Sequence, residues 1–207
     1  MAIRRKLQNV TNRILLWLLI LIFVFPILWF VSTSFKTRVD AFSMPPKFLF
    51  TPTLENYMRV FNDSAFIHFY GNSLKIGLLS TLFSIFIDIP ATFALARYSL
   101  KRKDDISFWI LSSRMAPPIM VILPLYLLFR QFNMLDTVFS MTILYMLSGL
   151  AFVVWMMKSF FEGIPEDLED AARIDGCSRL WALFKVTLPL SAPGIVSSSI
   201  FVFIMAW

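Results

Sequence analysis

One histidine (His68), one cysteine (Cys177) and 13 carboxylates are all that this 207-residue chain offers for metal ligation, thiol chemistry or a hydrolytic relay. A lone histidine leaves little for a metal site or a Ser-His-Asp arrangement, and a lone cysteine excludes an intramolecular disulfide. The expectation is therefore a protein that is not an enzyme by itself and that holds no metal or cofactor of its own. Its remaining charges suggest two other kinds of chemistry. Asp88 and Arg114 are charges set inside apolar runs, where an ion is costly and by default functional. The stretch Ile164-Pro-Glu-Asp-Leu-Glu-Asp-Ala-Ala-Arg-Ile-Asp-Gly176 is the one strongly charged, helix-patterned segment between two long apolar blocks.

The elements that must position these residues are apolar helices. Hydrophobic residues make up 58% of the chain and charged residues only 15%, against about a quarter for a typical soluble domain. Lys and Arg outnumber Asp and Glu by six, but they cluster at the ends of apolar blocks. That placement suits anionic lipid headgroups, not nucleic acid. A span needs about 20 apolar residues. Candidate spans cover residues 14–35, 72–96, 106–129 and 138–157, and a fifth begins near residue 193 and is still apolar at Trp207. The first has neither the short apolar run nor the small-residue cleavage site of a signal peptide. Residues 1–13 form a basic tail (Arg4, Arg5, Lys6, Arg13), which places the N-terminus in the cytoplasm. Alternation then puts Arg97, Lys101, Arg102, Lys103 and residues 160–190 inside, although the external region 36–71 is also fairly basic. In that region Thr53 could cap a short helix reaching Arg59. At 1.5 Å per residue, Asp88 and Arg114 lie about 13 and 12 Å from the inner ends of adjacent spans. Equal depth suggests an Asp88–Arg114 ion pair; the alternative has Arg114 snorkelling to the surface and Asp88 hydrogen-bonded or protonated against protein.

In the charged segment, Pro165 suits the first position of a helix and Glu166 and Asp167 its first turn. Glu169 and Arg173 are spaced i,i+4 in the favourable order, and Gly176 is a natural left-handed terminator. The helix 165–175 presents Leu168, Ala171, Ala172 and Asp175 on one face, with small alanines that allow close approach. Ser178 caps a second helix with Leu180, Leu183 and Phe184 on its apolar face, which Pro189 ends. The product is a helix-turn-helix knuckle between two spans; read without context, it serves equally as a plain interfacial linker.

Asp170-Ala-Ala-Arg-Ile-Asp175-Gly176, followed by Leu188-Pro189, resembles the Glu-Ala-Ala loop of binding-protein-dependent ABC importer permeases. Further matches run in order along the chain: Phe25-Pro26, Ser34-Phe35-Lys36, Leu54-Glu55-Asn56-Tyr57, Phe93-Ala-Leu-Ala-Arg97, Met115-Ala-Pro-Pro118 and Pro124-Leu-Tyr126. They are most similar to the carbohydrate class, in particular the shorter, six-span partner of maltose-type permease pairs. The resemblance implies an all-α polytopic transmembrane bundle in the cytoplasmic membrane, with a cytoplasmic coupling helix. It implies that Leu168, Asp170, Ala171, Ala172, Asp175, Gly176, Leu188 and Pro189 form the ATPase-docking element. It also implies a second permease subunit, two ATP-binding subunits that hold the ATP, and an extracytoplasmic solute-binding protein as partners, with membrane lipids around the helices. Two departures stand out: Asp170 replaces the usual Glu, one methylene shorter, and Cys177 stands where a small residue is usual. The fifth span reaches only Trp207 where the family continues into a sixth, so the chain is expected to be C-terminally incomplete relative to the family. The competing reading is an ion-gradient-driven secondary transporter, which would want paired membrane acids or broken helices in two matching halves. For the solute path, Ser80, Thr81, Ser84, Ser112 and Ser197–Ser199 are candidates, although hydroxyls in membrane helices more often join helices.

Overall fold

The structure, a computed structural model, describes the backbone of residues 2–207 and the side chains of residues 12–117 and 119–207. The side chains of Arg4, Arg5 and Lys6, on which the expected cytoplasmic tail rests, lie outside the described residues. All regular structure among the described residues is helical. Residues 1–68 and 69–207 form two compact units.

In the first unit, α1 (Ala2–Ser34) carries the apolar segment Asn12–Ser34, whose mean hydropathy of 3.0 makes it long and greasy enough to cross a bilayer. Over residues 12–31 its side chains stand mostly exposed, as suits a helix whose solvent is lipid or another helix. The loop beyond it is tied back by polar groups. Asn56 Nδ2 donates to Ser34 O (3.0 Å) and Lys36 O (2.8 Å), and Thr53 N donates to Phe35 O at 2.8 Å. These bonds satisfy carbonyls that a helix end leaves orphaned. Lys36 is only 2% exposed; its Nζ donates to Lys47 O at 2.7 Å and lies 4.1 Å from the centre of the Trp29 ring. The loop also holds the short α2 (Arg38–Ala41) and α3 (Glu55–Asn62). Thr53 accepts from Glu55 N at 3.2 Å, although Leu54 occupies the cap itself.

In the second unit, α4 (Ser64–Arg97) and α7 (Val138–Glu162) are further continuous apolar helices, and α11 (Ala192–Ala206) packs against both. Small residues permit the approach: a Cβ on Gly149 would stand 3.1 Å from Val202, and one on Gly77 2.9 Å from the Phe203 ring. At Gly194 the space is filled outright, since a Cβ there would meet Phe160 at 2.5 Å. Such glycine contacts bring membrane helices within dispersion range where no hydrophobic effect drives them together. Ile89 and Phe93 of α4, Val153, Met157 and Phe161 of α7, and Val202 of α11 make the core, with the Phe93 and Phe161 rings edge-on at 5.7 Å.

The expected third span is not one helix. α5 (Lys103–Ser112) runs into a 3₁₀ turn, Ser113–Met115, and then into α6 (Pro118–Gln131) after a 95° bend. The cause is local. Ala116 precedes a proline and takes an extended ψ of 133°, as that position favours, and Pro117 repeats it at 134°. Nor does Pro189 end the helix before the last span. After α8 (Asp167–Ile174) and α9 (Arg179–Ala182), a π turn over Leu183–Thr187 continues into α10 (Leu188–Leu190). Pro189 sits in the last turn of the continuous Arg179–Leu190 helix, just after the π turn. The chain bends 80° only at Ser191. Three helices among the described residues can cross a membrane by length and composition, or five if each bent pair counts as one span.

Candidate docking site

α8 begins beyond Pro165, with Asp167, Glu169 and Asp170 in its first turn, where the exposed N–H groups favour negative charge. It ends on paired backbone bonds: Cys177 N donates to Ala172 O and Gly176 N to Arg173 O, both at 3.0 Å. This reverse-turn closure needs a left-handed residue, and Gly176 supplies it at φ +91°. Ser178 then caps α9, accepting from Trp181 N at 3.3 Å, as its position in the sequence suggests.

Of the residues expected to dock, Leu168, Asp170, Ala171, Asp175 and Gly176 are exposed and close together in the chain, and Ala172 is half-buried. Leu188 and Pro189 stand apart from them, in α10. On the second helix Ala182 and Leu183 are buried, while Leu180 and Phe184 point outward, 64% and 56% exposed.

The expected Glu169–Arg173 pair does not form. Arg173 turns to Asp170 Oδ1 at 2.9 Å, an exposed i,i+3 pair worth about 0–1 kcal/mol. Glu169 turns inward instead. Its Oε1 accepts from Arg97 Nε at 2.8 Å and from Thr187 Oγ1 at 2.9 Å, and both charged side chains are largely buried, at 8% and 12% exposure. Arg97 also donates to Ile164 O at 2.7 Å and lies 3.6 Å from Glu166. Removing one member of a buried pair costs about 3–5 kcal/mol, because the other charge is left without a partner. The buried network, not the surface pair, therefore holds α8. Beside it, a cavity of about 210 Å³ is bordered by Tyr98, Arg173 and Arg179, the last 5.1 Å from the centre of the Tyr98 ring.

The Asp88–Arg114 pair is likewise not made. Asp88 is 1% exposed on α4 and accepts from Ser84 one turn earlier, with its other carboxylate oxygen unpaired. Arg114 donates to Ser148 O of α7 at 3.3 Å and contacts Met205 Sδ at 3.6 Å. Direction, not depth, is the reason: Arg114 faces Ser148 of α7 and Met205 of α11, whereas Asp88 is turned to Ser84 of its own helix.

The family described as binding-protein-dependent transport system inner membrane component matches residues 88–207, which include the buried network and the whole docking loop. This chain belongs to that family. Among its relatives, the sulfoquinovosyl glycerol transport system permease protein SmoH of Agrobacterium fabrum is 40% identical over 185 residues, 89% of this chain and 65% of SmoH. The diacetylchitobiose uptake system permease protein DasC of Streptomyces coelicolor is 34% identical, over 89% of this chain and 67% of its own. The trehalose/maltose transport system permease protein MalG of Thermococcus litoralis is 33% identical, over 97% and 74%. A solved bacterial ABC transporter involved in the import of the acidic polysaccharide alginate superposes with a TM-score of 0.78 at 26% identity, covering 98% of this chain and 71% of that one.

In this inner membrane component most membrane hydroxyls bond back to their own helix, and Ser80 is one that joins two. Ser80 of α4 donates to Thr142 O of α7 at 3.2 Å, while Thr81, Ser197 and Ser199 donate to carbonyls four residues back. An opening of about 1220 Å³ lies along the bent α5–α6 pair and α7, bordered by Trp109, Ser113, Arg114 and Ser148. Sequence reasoning missed Arg97 and Glu169 as partners. The available signal was a lone arginine closing the apolar run Phe93-Ala-Leu-Ala, a cation that burial obliges to find a carboxylate.

Proposed function

We propose that this chain is the membrane-embedded permease subunit of an ATP-driven importer, carrying a sugar or sugar-like solute across the cytoplasmic membrane. The observation that supports this best is α8: its Leu168, Asp170, Ala171 and Asp175 are exposed, while its opposite side is held by the buried Arg97–Glu169 pair. A surface offered outward on a rigid mount fits a socket on a cytoplasmic ATPase, which binds the ATP. The solute class follows from relatives named for a sulfoquinovosyl glycerol, a chitobiose and trehalose/maltose. In this reading the partners are a second permease, two ATPase copies and an extracytoplasmic solute-binding protein. The N-terminus lies in the cytoplasm with the Arg97–Lys103 turn and the docking loop. Leu188 and Pro189 serve docking indirectly, by carrying the knuckle into α11.

Gly176 tests the reading. No atom crowds it within 4 Å, so a larger side chain strains only the left-handed backbone and re-aims α8. Gly176→Phe is expected to reach the membrane in normal amount, to lose the co-purifying ATPase and to abolish uptake of the neighbouring binding protein's solute. Normal uptake would refute docking through α8. An ATPase-dead partner is expected to stop wild-type uptake as well; survival of uptake would mean an ion-driven carrier.

A further inference from the structure

The exposed face of α8 says where a force would be received, but not where it goes. α8 has eight residues, too few for a helix to be stable on its own in water. Apart from its two chain ends, its side-chain anchor in the rest of the unit is Glu169. A single oxygen of that carboxylate receives Nε of Arg97, the last residue of α4, and the hydroxyl of Thr187, which is fully buried at the end of the π turn. The same guanidinium holds Ile164 O, just past the end of α7. Four segments therefore meet within one hydrogen bond of the Arg97–Glu169 pair: the end of α4, the exit of α7, α8 and the π turn.

We propose that Glu169 is a positioning residue that makes α8 and α4 move as one body, so that displacement of the docking face is delivered to α4 through the Glu169 carboxylate. The proposal rests on the permease reading. Charge fixes the geometry here. Arg97 is largely buried, and its nearest other carboxylate, Glu166, is 3.6 Å away and 70% exposed. When Glu169 is neutral or absent, Arg97 has only Glu166 and a carbonyl to hold, and α8 is free to slip along the end of α4.

The test uses the importer assembled with its own ATPase in proteoliposomes. Cys177 is first replaced by serine, and nitroxides are placed at Ala91→Cys on α4 and Asp167→Cys on α8, two exposed positions outside the docking face. In the otherwise wild-type protein, the distance between labels is expected to form one narrow peak that is unchanged by ATP with vanadate. Glu169→Gln keeps the shape and removes the charge; it is expected to lose that single peak and to make the distance depend on nucleotide. Thr187→Val removes the second donor and should broaden the peak, while Thr187→Ser restores it. A merely structural role would change protein yield and leave the nucleotide independence intact. A Glu169→Gln peak as narrow and nucleotide-independent as wild type would overturn the proposal, as would a wild-type distance that shifts with nucleotide. If the ATPase fails to co-purify with the wild-type chain, the permease reading fails first and the proposal with it.

Discussion

Asp40 shows how one side chain can hold a loop. Its carboxylate accepts from Lys47 Nζ at 2.6 Å and from the Thr37 hydroxyl at 3.0 Å, while Lys36 beneath it is buried against Trp29. The Lys47 hydrogen bond, then that of Thr37, holds the Asp40 carboxyl below its ordinary 3.8. A depressed carboxylate stabilises the fold above its unfolded value, and the contribution is lost as pH falls through the folded one. The amide protection factors across residues 37–47, referenced to the intrinsic exchange rate at each pH, are therefore expected to be constant from neutral pH down to about pH 5 and to fall below 3.8. Asp40→Asn should show fast exchange throughout; a wild-type loop that loosens between pH 7 and 5 would contradict this. At the same scale, the difference between Asp170 and Glu169 is a matter of direction. Adjacent acids on one short helix point to opposite environments, one paired at the surface and one sealed against Arg97.

At the scale of elements, α11 depends on what is missing from its neighbours and from itself. The Phe160 ring lies where a Gly194 Cβ would be, with its Cδ2 at 2.5 Å and its Cγ at 2.6 Å. Because Cγ cannot swing far from the backbone, Gly194→Ala is expected to cost about 1–3 kcal/mol, the range for overpacked sites. Thermal unfolding in detergent measures it, and Phe160→Ala in the same chain should return most of the loss. Gly149→Ala, facing only a valine methyl at 3.1 Å, should cost less. The glycine and proline chemistry also divides what was legible in the sequence from what was not. Gly176 and Ser178 were readable because a helix stop and a helix cap are local events that each residue performs on its own backbone. Pro117 and Pro118 were present in the sequence too, but an apolar count passes over them, so α5 and α6 read as one span. The Arg97–Glu169 pair was beyond any local pattern, since 72 residues separate its members and helical periodicity placed Glu169 beside Arg173. The Asp88–Arg114 expectation failed because equal depth says nothing of direction, and Arg114 faces α7.

For the whole molecule, the question is which end of each helix faces which compartment. The buried network places the C-terminal end of α4 and the docking loop on one side of the second unit. In the orientation proposed above, the loop after α1, in which Met44 is 97% exposed, lies outside. In a Cys177→Ser background, Met44→Cys is expected to react with a membrane-impermeant maleimide in intact cells. Ile174→Cys, at the 86% exposed end of α8, should react only after permeabilisation. The reverse pattern would invert the topology.

The two edges of α8 have one further consequence. Its inner edge is committed to this chain through Glu169 and half-buried Ala172, and its outer edge to none of it. Substitutions at Leu168, Ala171 or Asp175 can therefore accumulate without disturbing how the helix is mounted. On the proposed function, such a permease could take a different ATPase by rewriting a few outward side chains on an unchanged mount.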